Sequence, residues 1–418
     1  MITLRTIVQF FAFRESAHRS VMQSRDIRWL GVLLVLSAGF AREYDGEYLV
    51  ADWWYVVIPL AASLAGSFAL TLIVWITAWF RGVRSIGLLT TYGAILNAYW
   101  MTAPLAWLYA IPVERLLGEV DAVRANLVLL GLVSVWRVAL MIRSLSILYA
   151  CRYWEALMPI MVFSLILGYI AIRMLPVPLF VVMGGVRIPE SEQIIVSTRL
   201  QITLCAILSA PAWIIGLIAV WFTKKRWVWS LESSHDQTPI RVSRFAYVVG
   251  IISLLIWIPI LPWTQTEQYQ RWSVEDMLQR GDYQGVAGWS RQVNVENLPP
   301  HWIPPPRLVY GYASVKTIEQ AVEILNEDLS DWYADQCREV LRENLSGRFD
   351  SPKLEKLELS VVSGLVSLKD NGKLEEEFVK RLSDMAKQSL DDPGLKVPED
   401  ARQLLDTMRS WNTIDSTP

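Results

Sequence analysis

Cysteine and histidine are scarce in this sequence, with three of each in 418 residues. Cys151, Cys205 and Cys337 are too few and too far apart to form a disulfide framework, so they leave the redox compartment undecided. His18, His235 and His301 are equally scattered, which excludes a zinc motif of histidine and cysteine ligands. No phosphate-binding P-loop, no dinucleotide fingerprint and no G-x-S-x-G nucleophile turn occurs. No cofactor is therefore expected, and the chain reads as non-enzymatic on balance. Charge is also thin, at 19% of residues, and it is unevenly placed.

What the sequence has in quantity is apolar surface: 53% hydrophobic residues and 20 tryptophans. Long apolar blocks fill residues 29–263 and then stop, and the remainder is charged and patterned for helices. Residues 264–418 hold 18 Lys+Arg against 27 Asp+Glu, an acidic balance that excludes nucleic acid as a partner. The expected fold is all-α, with a polytopic bundle of about seven transmembrane helices and a C-terminal soluble helical domain. Three regions follow: a basic cytoplasmic or interfacial N-terminus over 1–28, a transmembrane domain over 29–263, and an extracytoplasmic helical domain over 264–418.

The crossings are read at 29–41, 53–80, 86–112, 125–149, 154–175, 199–222 and 245–263. Residues 29–41 are short enough to pass for the apolar core of a signal peptide, and an uncleaved helix is the favoured reading. The stretch 177–185 reads as a short re-entrant or interfacial piece. Basic residues in 1–28, at Arg81 and Arg84, at Arg152, and over 224–244 all fall on one side of this arrangement. That places the N-terminus in the cytoplasm and residues 264–418 outside, in a cell (inner) membrane whose lipids are the first partner. Phe10, Phe11 and Phe13 beside Arg14 predict an amphipathic segment at the membrane surface.

Arg137 is the first candidate for a binding site, because it falls deep within the apolar stretch 125–149. A guanidinium in hydrocarbon costs at least ~2.5–3.5 kcal/mol on insertion scales, so it normally faces other helices or a wet cavity. Arg143 lies nearer the helix end, where it can snorkel to the interface. Asn97 sits in segment 86–112, which Pro104 and Pro112 mark as broken, and Arg137, Asn97 and this segment together outline a transporter-like site for a polar or anionic solute or lipid.

Glu43, Asp45 and Glu47 lie in the loop after the first apolar block, where their hard oxygens suit a divalent ion. The pair Glu43-Tyr44-Asp45 resembles the acidic pair in the first external loop of membrane glycosyltransferases that use polyprenyl-phosphate sugars. That resemblance covers three residues. It implies one carboxylate as base and the other as a metal ligand.

The outer region predicts helices over 274–291 with a break at Gly281-Asp282, and over 315–328, 330–346, 352–371, 373–390 and 398–411. GDYQGVAGW, at 281–289, resembles the turn between paired helices of tetratricopeptide-type repeats, which implies helical hairpins. A proline strap over 299–306 favours polyproline II geometry, packed on the domain's own helices. The function expected from all this is a membrane anchor or scaffold whose outer domain, 264–418, binds a partner protein. The transporter-like bundle and a metal-dependent enzyme acting on lipid-linked sugars through Glu43 and Asp45 stand as alternatives.

Overall fold

A computed structural model describes residues 1–44, 46–174, 190–224, 226–231, 240–298, 304–306, 315–345, 359–391 and 399–414. The described residues are helical, with no strand among them beyond one isolated bridge between Ile2 and Val242. The chain divides into two units. The first comprises Met1–Val177 and Ile194–Tyr269, and the second comprises Pro178–Gln193 and Gln270–Pro418.

The first unit opens with two short helices, α1 (Leu4–Phe11) and α2 (Glu15–Gln23). Thr3 and Thr6 form a reciprocal capping box at the start of α1. These helices are followed by α3 (Ile27–Glu43), α4 (Trp54–Phe80) and α5 (Leu88–Trp100). A 3-10 helix (Ala103–Ala110) and the short α6 (Val113–Leu116) lead into α7 (Glu119–Leu148), α8 (Tyr153–Met174) and α9 (Glu190–Phe222). Then come α10 (Arg244–Leu255) and α11 (Trp257–Arg280).

Five helical stretches among the described residues are long and apolar enough to cross a membrane: Trp54–Phe80, Val120–Leu148, Tyr153–Ile170, Gln193–Phe222 and Arg244–Arg280. The other two expected crossings are shorter. The helix over 29–41 is α3, with 17 residues, a length of about 25 Å at 1.5 Å per residue. Segment 86–112 is broken, as its prolines imply. The α-helix ends at Trp100, and Pro104 occupies the first turn of the 3-10 helix, where a missing N–H costs least. The stretch 177–185 lies outside the described residues.

Close approach between helices relies on glycine. A Cβ on Gly31 would come within 2.8 Å of Trp100, and one on Gly39 within 2.8 Å of the Val56 carbonyl. α3 thus packs its small face against α5 and α4, the usual device where no hydrophobic effect drives helices together. Gly31 beside Trp100 also fixes register: α3 starts alongside the C-terminal part of α5. The N-terminal residues occupy the remaining flank. Phe10, Ala17, His18 and Val21 are fully or almost fully buried, and α2 packs on α5 and α7. α1 has the amphipathic pattern expected of it; Phe10 is buried in the bundle, Ile7 and Phe11 are half-buried, and Leu4 and Val8 are exposed.

The second unit contains α12 (Tyr283–Gln292), α13 (Val315–Asn326), α14 (Asp331–Leu345), α15 (Leu359–Asp370), α16 (Glu376–Asp391) and α17 (Glu399–Ile414). The break at Gly281-Asp282 is present. Gly281 adopts φ +73°, and the Asp282 carboxylate accepts the Gly285 N–H at 2.9 Å to cap α12. Gly372 at φ +66° closes α15. The helices share one core, with Ile318, Val322, Leu341, Leu365, Leu382 and Met408 all at or near zero exposure. Within the expected proline strap, residues 304–306 are described and they do pack on a helix of their own unit. Tyr333 Oη donates to the Pro305 carbonyl, and Gln336 Nε2 to those of Pro304 and Pro306.

Candidate functional site

Arg137 lies 11 residues before the end of α7, about 16 Å along the helix axis. Its guanidinium is half-buried. Nε donates to Thr102 Oγ1 at 3.1 Å, and the group stands 5.6 Å from the centre of the Tyr99 ring. Thr102 passes its own proton to the Tyr99 carbonyl at 2.7 Å, so its oxygen is free to accept from Arg137. Arg137 therefore grips the broken segment where the α-helix ends and the 3-10 helix begins.

Asn97 belongs to the same segment and faces a different neighbour. Its Nδ2 donates to the carbonyls of Val21, Met22 and Ser24, at 3.3, 3.3 and 2.8 Å. Arg28 Nε donates to its Oδ1 at 3.4 Å. The last carbonyls of α2 have no partner within their own helix, and Asn97 supplies one from α5. The expected grouping of Arg137 with the broken segment is present, at Thr102 and Tyr99. Asn97 instead ties the N-terminal helices down.

Arg143 does the same at the other end of α2. It donates to the Phe13 carbonyl at 3.3 Å and to Tyr153 Oη at 2.5 Å, and pairs with Glu15 at 3.5 Å. Between these two anchors, buried His18 bonds to Ser144 Oγ at 2.9 Å. Ser144 gives its own proton to the Leu140 carbonyl, so the histidine must donate through Nδ1, which leaves the Nε2 lone pair buried without a partner. Burial first, and Arg143 second, lower the His18 pKa to about 4, so the ring is neutral near pH 7.

A second polar centre was not expected from sequence. Arg81 and Glu155 form an ion pair at 3.6 Å, with side chains 2% and 3% exposed. Arg81 also donates to the Thr223 carbonyl just past the end of α9, and Glu155 accepts the Arg152 N–H at 3.0 Å at the start of α8. The pair thus joins the ends of α4, α8 and α9. Its trace in the sequence is a single acid, Glu155, at the mouth of an apolar helix. Arg81 itself reads there only as a marker of sidedness.

The acidic loop is held by Gln265 of α11, which sequence reasoning also missed. Its Nε2 donates to the Tyr44 and Glu47 carbonyls, both at 3.2 Å, and its Oε1 accepts the Leu49 N–H at 2.8 Å. Glu43 pairs with Arg42 at 3.1 Å. Asp45 lies outside the described residues. Among the described residues, no group of three histidine, cysteine or acidic side chains is placed to hold a metal ion. The chain matches no protein-family model, no curated protein and no solved structure.

Proposed function

We propose that this protein is a membrane anchor and scaffold. In this reading seven segments cross the membrane, α3 and the broken segment 86–112 included. The N-terminus is cytoplasmic, and the acidic helical unit on the other side receives a partner protein. One observation carries the reading. Three buried polar side chains of the bundle serve the chain's own backbone: Asn97 holds α2, Arg81 the end of α9, and Gln265 the loop 44–49. Such a bundle is knit together rather than arranged around a solute. A second reading keeps a transport site at Arg137, favoured by its grip on both Thr102 and Tyr99 at the helix break.

Compartment-sensitive reporters fused after Arg226 and after Trp263 test the topology, with inside and outside signals expected in that order. Photocrosslinking residues at the exposed positions Gln388 and Gln403 then test the scaffold. One defined protein adduct is expected from both, unchanged by Arg137→Leu. A cytoplasmic signal after Trp263, or no protein adduct, overturns the scaffold reading. Loss of solute flux in Arg137→Leu at unchanged abundance favours the second.

A further inference from the structure

An apolar groove of about 280 Å³ runs between α1, α3, the 3-10 helix and α10. Ile7 and Phe11 come from α1, Leu34 from α3, Trp107 from the 3-10 helix, and Val249 and Gly250 from α10. Its volume is several times that of one water molecule, and its walls offer water almost no polar partner. The groove is half open. Beside it stand Leu4, Val8, Phe245 and Val248, all exposed, so its apolar lining continues into the outer apolar face of α10.

One end of this groove is basic. The backbone stitches the chain start to the start of α10: Ile2 N–H donates to the Arg241 carbonyl, and Ser243 N–H to the Ile2 carbonyl, each at 2.8 Å. Ser243 then caps α10 by accepting the Ala246 N–H at 3.1 Å. This stitch brings Arg5, Arg241 and Arg244 to the end of the groove marked by Leu4 and Ala246. All three are exposed, and none pairs with a carboxylate among the described residues. Of the two acids in the N-terminal residues, Glu15 is engaged with Arg19 and Arg143, and Asp26 adjoins α10, where its backbone carbonyl accepts from Tyr247 Oη at 2.7 Å. Three cations beside an apolar slot, on a chain with membrane-length helices, match a molecule with an anionic head and a hydrocarbon tail.

We propose that this groove seats one acyl chain of an anionic membrane phospholipid, whose headgroup is held by Arg5, Arg241 and Arg244. The site is separate from Arg137 and stands whether or not the scaffold reading does. The lipid would close the gap between α1 and α10 in the manner of a side chain.

The test uses the full chain purified in detergent and native mass spectrometry, with phosphatidylglycerol and phosphatidylcholine of identical chains as probes. One phosphatidylglycerol is expected to stay bound through delipidation, in preference to phosphatidylcholine by on the order of tenfold. Arg5→Gln with Arg244→Gln should abolish the preference. Val249→Trp, which fills the groove, should remove the bound lipid of either headgroup. If Val249→Trp does not accumulate, Val249→Ala widens the same groove and should shift retention toward longer chains. Equal retention of the two headgroups by the parent chain overturns the headgroup assignment. A folded Val249→Trp that keeps its lipid, or a Val249→Ala with unchanged chain preference, overturns the groove.

Discussion

Removing the Glu155 charge should destabilise the first unit more than any other single isosteric change in it. Glu155→Gln keeps the side-chain volume and an oxygen to accept the Arg152 N–H, so the local helix start survives. What it removes is the counter-charge of Arg81, whose side chain is 2% exposed and whose Nε and Nη2 make no hydrogen bond. Breaking a buried pair by deleting one partner costs about 3–5 kcal/mol, because an uncompensated charge stays behind. At roughly 2–4 °C per kcal/mol for a unit of this size, the midpoint should fall by on the order of 10 °C. The assay is built into the chain. Cys151 is half-buried four residues from Glu155, and Cys337 is buried in the second unit. Alkylation during a thermal ramp, read peptide by peptide in a Cys205→Ser background, reports the first unit through Cys151. The double variant Arg81→Met with Glu155→Leu removes both charges and should cost no more than Glu155→Gln alone. A shift below about 2 °C, or strictly additive single effects, would refute the reasoning, since either result means that water already screens the pair.

His18 makes stability depend on pH. Its folded pKa of about 4 lies below the ordinary 6.5, so the unfolded chain binds the extra proton between those values. Stability is therefore full above about pH 6.5 and declines as the pH falls toward 4, by at most about 3 kcal/mol. Circular dichroism melts of His18→Gln should lack that decline, and an identical slope in both proteins would count against the buried neutral ring. In the second unit, Lys373 Nζ donates to the carbonyls of Leu325, Asn326 and Glu327 at 2.6, 2.9 and 2.8 Å and caps α13. Lys373→Met should cost about 1.5–3 kcal/mol, seen as earlier alkylation of Cys337, whose thiol burial holds inert and high in pKa. Unchanged Cys337 labelling would mean that α13 does not need this cap.

The helical class, the apolar blocks and the turn at Gly281-Asp282 were legible because they rest on local chemistry. A 20-residue apolar run, a glycine free to adopt positive φ, or an aspartate three residues before an N–H acts without knowledge of distant chain. The break in segment 86–112 was legible for the same reason, since Pro104 lacks the N–H that would continue the helix. Arg137 also stood out, because a guanidinium in an apolar run is anomalous in any fold.

Partnership was not legible. Asn97 reads in sequence as a polar residue in a broken helix, and only packing shows it serving the end of α2 some 70 residues earlier. Arg81 reads as a topology signal, and only the meeting of three helix ends turns it into half of a buried pair. The basic first residues read as an interfacial segment at the membrane surface, whereas the packing of α2 on α5 and α7 makes that helix part of the bundle. Sequence by itself determined the helical class, the apolar blocks, the breaks at Pro104 and Gly281-Asp282, and which side chains would be costly to bury; the crossing it ended at residue 263 instead runs on through Pro262 as α11 to Arg280. Tertiary structure alone decided which carbonyl or carboxylate meets each costly group. Hydrogen bonds and ion pairs act over about 3 Å, and no periodicity along the chain specifies a contact at that range between distant residues.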